Sequence, residues 1–146
     1  MNIYFACSIT GGREFESVYQ AIVRALAEAG HQLPTAHLAE SGAGEKEAVL
    51  DPREVYARDV AWICASEALI AEVSVPSHGV GYEIGFALGE GKPVLALYQQ
   101  GRKVSKMITG NPDKRLQVKA YRDPDEAIKM VGDFLATISL QPQARR

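Results

Sequence analysis

In the stretch VPSHGVGYEIGFALGEGKP, residues 75 to 93, three of the five glycines, Gly79, Gly81 and Gly85, stand around the acid Glu83. The glycines follow an apolar run and open a helical one, as in a nucleotide-binding turn. The last interval is one residue too long for the dinucleotide fingerprint, and that fingerprint belongs after the first strand of a sheet. A dinucleotide site is therefore disfavoured. Glu83 is expected in the first turn of the helix, where unpaired amides and the helix dipole favour an ionised carboxylate. Such a group is either an anion ready to attack or the satisfied start of a helix. Asp59 falls in a helical row with Tyr56, Val60 and Ile63, so a face that should bury apolar atoms also carries an acid. Burial raises a carboxyl pKa toward proton donation, whereas a shift of helical frame would leave Asp59 on the surface. Two carboxylates in unlike environments are the set that breaks glycosidic bonds: one attacks the anomeric carbon or guides water, the other protonates the leaving group. Tyr4 and His37, near expected strand ends, either complete such a pocket or serve as a core tyrosine and an ordinary hydrogen-bonded histidine.

A second stretch, CSITGGR at residues 7 to 13, brings two hydroxyls, Gly11, Gly12 and Arg13 to the end of the first apolar run. These groups suit a phosphate at a helix N-terminus, although the lysine and spacing of a P-loop are absent. A plain turn with a surface arginine fits equally well.

These residues must be held by a frame, and the apolar runs supply one. NIYFAC, ALIAEV, PVLALY and LQVKAY alternate with amphipathic segments, and HQLPTAH is a weaker candidate between the first two. Runs this apolar are buried on both faces, which predicts an α/β, Rossmann-like (flavodoxin-like) three-layer sandwich: a five-stranded, mostly parallel sheet with helices on both faces. Ligands of such sheets bind beyond the carboxyl ends of the strands, where both stretches fall. Phe15, Val18, Tyr19, Ile22, Leu26 and Ala29 mark the first helix, which stops at Gly30. DPRE at 51 to 54 and DPDE at 123 to 126 mark two helix starts, and Ile128, Val131, Leu135 and Ile138 give the last helix its core face. AESGAGEKEA, residues 39 to 48, is expected to be a long loop, either a lid or simply solvated. One domain over residues 1–140 and a flexible tail at 141–146 account for the chain.

The 146 residues suffice for a real core, and a formal charge of −2 provides no field for a nucleic-acid polymer or an anionic membrane. The opening MNIYFAC lacks the pattern of a secretory signal and no apolar run is long enough to span a bilayer, so a cytoplasmic protein is expected. Cys7 and Cys64, without metal-ligand spacing, read as core thiols.

YFACSITGGR, the helix carrying ARD, AEVSVPSHGVGYEIGFA and the later SKMITG together resemble the nucleoside 2-deoxyribosyltransferase superfamily, and most closely its 2'-deoxynucleoside 5'-phosphate N-hydrolases, over nearly the full length. The resemblance implies that Glu83 is a nucleophile forming a deoxyribosyl ester, that Asp59 is the acid or proton relay, and that Tyr4 positions Glu83. It places Cys7, Ser8, Ile9, Thr10, Gly11, Gly12, Arg13, Ser77 and Gly79 around the phosphate and sugar, with Tyr19 and His37 near the substrate. It also implies a homodimer in which Ser105, beside Lys106 and Met107, reaches a phosphate across the interface. No metal or organic cofactor is implied. Two positions bear on substrate choice. Relatives usually carry arginine where this chain has Thr10, which removes one cationic phosphate contact. The transferases tend to place aspartate six residues before the nucleophile, where this chain has Ser77; a hydroxyl can donate to a phosphate that an aspartate would repel. The implied reaction is hydrolysis of a 2'-deoxynucleoside 5'-monophosphate. Base exchange, a ribonucleotide substrate, a non-catalytic nucleotide sensor and a flavin carrier are the alternatives.

Overall fold

The computed structural model describes residues 1–140. The tail expected at 141–146 lies outside the described residues. Four of the apolar runs become strands: β1 (Ile3–Ala6), β2 (Ala68–Glu72), β3 (Val94–Gln99) and β4 (Leu116–Tyr121). They form one sheet in the order β1-β2-β3-β4, every pair parallel.

The fifth strand expected at HQLPTAH does not form. Only Gln32 pairs with Asn2, through bonds from Ile3 N to Gln32 O at 2.8 Å and from Gln32 N to Met1 O at 2.9 Å. Pro34 has no N–H to extend such a ladder. The next free donor on the β1 edge, Phe5 N–H, gives its bond to the Thr35 hydroxyl at 3.0 Å, and the chain turns into a 3₁₀ helix at Ala36–Ala39. A side chain thus finishes an edge that a strand was expected to cover.

Alternation along the strands builds the layers. Ile3, Phe5, Ile70, Leu95 and Leu97 pack against Tyr19, Ile22 and Leu26 of α1 (Glu16–Glu28) and Val131, Phe134 and Leu135 of α6 (Pro124–Ser139). Tyr4, Ala6, Leu69, Ala71, Val94 and Ala96 face the other way, onto Ile63 of α3 (Pro52–Ala65) and Val80, Ile84, Ala87 and Leu88 of α4 (His78–Gly89). This second face matters for function because it carries the Tyr4 side chain under α4.

The helix boundaries follow the capping chemistry. Asp51 accepts from Arg53 N at 2.8 Å, and Asp123 accepts from Glu126 N at 2.9 Å while the Glu126 carboxylate reaches back to Arg122 N at 2.7 Å. Caps of this kind are worth about 1 kcal/mol each. Gly30, just beyond α1, takes a φ of 84°. The segment 39 to 48, expected as a loop, is largely ordered into α2 (Ala43–Ala48), entered through Gly42 at φ 79° and anchored by the buried Leu38, Ala39 and Ala43. A further short helix, α5 (Lys106–Thr109), follows β3. Among the described residues no helix is long and apolar enough to cross a membrane.

Candidate active site

The loops after β1 and β2 meet because Gly11 has no side chain: a Cβ there would lie 2.3 Å from the Pro76 carbonyl oxygen and 2.9 Å from Ser8 Oγ. Gly12, at φ 123°, then turns the chain toward α1. On the β2 side, Ser77 caps α4 by accepting from Val80 N at 3.3 Å, which leaves its own hydroxyl proton free to donate outward.

With α4 starting at His78, Glu83 is in the second turn rather than the first, past the free amides that were expected to stabilise its charge. Burial governs it instead. Its pKa is pushed up to about 7 by desolvation, opposed by the hydrogen bond from Tyr4, raised further by Asp59 and lowered by Arg58. Tyr4 Oη, coming from β1, donates to Glu83 Oε1 at 2.7 Å. Burial and the neighbouring Glu83 and Asp59 charges keep the Tyr4 phenol protonated, so it remains a donor.

Asp59 is half-buried on α3, where of its expected row only Ile63 is buried and Tyr56 is exposed. It does not face core. Asp59 and Glu83 line the same cavity of about 270 Å³, together with Tyr4, Cys7, Ile9, Thr10, Ser77 and Gly79. Desolvation raises the Asp59 pKa, against a hydrogen bond and charge from Arg58 that lower it. Across this hollow the Asp59 charge adds to the burial that raises the Glu83 pKa. A contiguous hollow of about 450 Å³ shares Glu83, Asp59 and Glu47 and extends past Val55, Tyr56 and Tyr82.

Most other expected site residues have partners or positions outside this cavity. Arg13 spends its donors on the protein: Nη1 reaches Leu38 O at 2.8 Å and Ser8 O at 3.2 Å, Nη2 reaches Glu40 O at 2.8 Å, and Nε pairs with Glu16 at 2.9 Å. It ties the loop after β1 to the 3₁₀ segment. Tyr19 is wholly buried, edge-on to Phe5 at 6.3 Å and under the Arg13 guanidinium at 5.5 Å. Ser8 is buried too, and its Oγ has no partner among the described residues. Burial pushes the Cys7 thiol up to about 12, so it is an inert core thiol; Cys64, expected as another, is exposed. His37 sits outside the cavity, 3.9 Å from Glu47 and edge-on to Trp62, while its neighbour Leu38 lines the wall. Ser105 caps α5 by accepting from Met107 N at 3.2 Å. Ser105 and the exposed Met107 border a different hollow, about 410 Å³, on the other flank of Ser77; Lys106 is exposed beside them.

Sequence reasoning did not find Arg58 and Glu47 as a linked pair. Arg58 is visible beside Asp59 in ARD, but Glu47 comes from a segment read as a loop. Only the ordering of α2 brings it to Arg58.

Residues 3–132 match the family model for nucleoside 2-deoxyribosyltransferase. The chain belongs to the nucleoside 2-deoxyribosyltransferase family. Within the curated members, it is 38% identical over 143 residues to the 5-hydroxymethyl-dUMP N-hydrolase of Danio rerio, covering 95% of this chain and 99% of that one. A Methanosarcina mazei protein, provisionally named 2'-deoxynucleoside 5'-phosphate N-hydrolase 1, is 40% identical over 137 residues, covering 94% and 85% of the two chains. Among solved structures, the Clostridium botulinum CMP N-glycosidase BcmB superposes with a TM-score of 0.67 at 19% identity, over 90% of this chain and 99% of that one. The 2-deoxyribosyltransferase of Bacillus psychrosaccharolyticus superposes at 0.61 with 21% identity, over 88% and 90%. These structures share the family's α/β fold, with a parallel sheet flanked by helices.

Proposed function

We propose that the protein hydrolyses the N-glycosidic bond of 2'-deoxynucleoside 5'-monophosphates, releasing free base and 2-deoxyribose 5-phosphate. The enzyme class is N-glycosidase, supported by the family and by relatives whose names are those of nucleotide N-hydrolases. The observation that carries the finer reading is the shared hollow: Glu83, held by Tyr4 at 2.7 Å, and Asp59 border one cavity that also reaches the Ser77 hydroxyl.

In this reading the ionised Glu83 carboxylate forms a bond to C1' of the sugar as the C1'–N bond breaks. The bonding pair leaves with the base, which takes a proton from Asp59. Water then attacks C1' of the ester, Asp59 receives its proton, and Glu83 is released as carboxylate. A 2'-deoxy sugar lacks the electron-withdrawing hydroxyl and reaches the cation-like transition state more easily. The end of the cavity at Thr10 and Ser77 suits the 5'-phosphate, and the apolar hollow past Val55 and Tyr82 suits the base. No metal or organic cofactor takes part.

The working unit is a homodimer. The family resemblance implies that Ser105 reaches a phosphate across the interface, and its place on the neighbouring hollow, away from the Glu83 cavity of its own chain, supports that reading. Sedimentation of the purified protein should give the mass of two chains, and Ser105→Ala should raise KM for monophosphates while leaving kcat.

Chromatographic screening of all common nucleosides and 5'-monophosphates, ribo and deoxy, tests the reaction. Release of base from deoxy monophosphates ahead of the matched ribonucleotides and nucleosides is expected. Exchange onto an added second base, without net hydrolysis, would replace hydrolysis by transfer, and no released base at all would remove the reading.

A further inference from the structure

The mechanism above uses Asp59 but says nothing of what holds it. Arg58, its neighbour on α3, donates from Nε to Asp59 Oδ1 at 2.8 Å and forks onto Glu47 of α2 with Nη1 to Oε1 at 3.0 Å and Nη2 to Oε2 at 2.8 Å. Its guanidinium carbon lies 4.8 Å from the centre of the Trp62 ring, one helical turn further along α3. The side chains of all three charged residues are largely shielded, at 23%, 15% and 17% exposure for Arg58, Glu47 and Asp59. A planar guanidinium gripped on two edges and stacked on a ring has little freedom left, and a lysine cannot reproduce that fork.

We propose that Arg58 is the positioning residue of the acid pair, aiming the Asp59 carboxyl into the cavity and coupling its proton occupancy to the docking of α2 through Glu47. Glu47 borders both the 270 Å³ and the 450 Å³ hollows, so α2 forms part of their walls and holds the arginine through the same residue. The groups facing Asp59 are Arg58 from its own helix, Glu47 from α2, His37 from the 3₁₀ segment, and Tyr4 and Glu83 across the cavity. Arg58 also acts on Glu83, whose carboxyl it holds lower than burial alone would.

Opposite signs follow for the two partners. Removing the Arg58 charge lets both carboxyls titrate at higher pH. Removing the Glu47 charge relieves a repulsion on Asp59 and leaves Arg58 wholly to it, so Asp59 titrates at lower pH. Loss of charge alone moves the titrations, so the aiming role is read from Arg58→Lys, where a merely structural or purely electrostatic clamp would return the full kcat together with the pH limbs.

The inference rests on the proposed roles of Asp59 and Glu83 in base release, but the deciding measurement does not require turnover. Carbon-13 carboxyl titrations of the full-length free protein are followed by NMR for wild type, Arg58→Gln, Arg58→Lys and Glu47→Gln. The expected result is an Asp59 midpoint about 1 pH unit higher in Arg58→Gln and lower than wild type in Glu47→Gln, with Arg58→Lys close to wild type. The pH profile of base release should shift as a whole to higher pH in Arg58→Gln, with kcat falling about tenfold and KM little changed. In Arg58→Lys the pH limbs should return but not the full kcat, because charge is restored without the fork. If Arg58→Gln does not fold, the Lys and Glu47 variants still decide. Unmoved or same-sign midpoints overturn the role of Arg58. Wild-type protein that titrates as described yet releases no base overturns the proposed reaction and leaves the coupling standing.

Discussion

Glu72, buried at the end of β2, and Glu83, half-buried on α4, are both glutamates with a carboxyl pKa raised by desolvation. Glu72 has 0% exposure, and its Oε1 accepts from Ser74 N at 3.1 Å, from the Ser74 hydroxyl and from Tyr121 Oη at 3.2 Å. The same serine hydroxyl accepts from Gln99 N at 2.8 Å, so Oε1 is the centre of a closed knot tying β2 to β3 and β4, while Oε2 is buried with no partner among the described residues. Among the described residues Glu83 receives one hydrogen bond, from Tyr4, and otherwise opens into a cavity that holds a second acid. A raised pKa is therefore common to a structural acid and to a candidate reagent. What separates them is an open side and a partner able to carry the proton.

The largest expected effect breaks the two apart. Glu83→Gln keeps the shape and the Tyr4 contact but cannot form an ester; base release should fall at least ~10³-fold with nucleotide binding retained. Glu72→Gln should leave turnover within a few-fold of wild type. If the two substitutions cost the same, or if Glu83→Gln still turns over near-normally, the contrast between them is lost. Asp59→Asn comes next, at about 10²-fold in kcat, with the deficit smallest for substrates whose base leaves readily without a proton. Matched assays on a good and a poor leaving base read that difference directly.

Stability should change in the opposite direction. The pKa of folded Glu83 lies above that of an ordinary exposed glutamate, from 4.5 to about 7, so folding favours its protonated form. That contribution is complete below pH 4.5 and is lost as pH rises through 7, on the order of 3 kcal/mol in all. Glu83→Gln should thus unfold at higher denaturant than wild type at pH 8, with the advantage gone by pH 4.5. Denaturant melts at the two pH values check it, and a variant less stable than wild type at pH 8 would show that the charged carboxylate is better solvated than its burial implies. The variant that loses most activity should gain stability.

Much of this arrangement is legible in the sequence, for reasons that differ by residue. Apolar runs fix four strands because a strand buried on both faces leaves no room for polar side chains, and Asp51 and Asp123 announce their helices because a cap is local chemistry. Glu83 and Asp59 lie in the bodies of α4 and α3 and Tyr4 lies within β1, so the contact of Tyr4 with Glu83 is expected from the family resemblance and not from strand ends or helix starts. The remainder depends on distant partners. Pro34 and Thr35 remove the fifth strand through one missing donor and one side-chain acceptor, which a hydrophobic pattern does not register. Glu83 slips from the first to the second turn because Ser77 caps the helix earlier than the glycines suggest, and burial then replaces the dipole as the force on its charge. Arg13 looks like a phosphate ligand until the carbonyls of Ser8, Leu38 and Glu40 come within its reach. Glu47 reaches Arg58 only once α2 forms.

The smallest expected effect tests the one hydrogen bond that Glu83 does receive. Tyr4→Phe removes a donor that lowers the Glu83 pKa, so the carboxyl should titrate above about 7 and less of it should be ionised at neutral pH. Turnover at pH 7 should fall roughly tenfold and recover toward wild type as the pH approaches 9, because the nucleophile is intact and only its proton is held more tightly. Tyr121→Phe makes the equivalent deletion at Glu72, where two serine donors remain, and should cost about 1 kcal/mol of stability with no change in the pH profile. A pH-independent loss in Tyr4→Phe would mean that the phenol aims Glu83 without tuning it, and a shifted profile in Tyr121→Phe would mean that the closed knot communicates with the cavity after all.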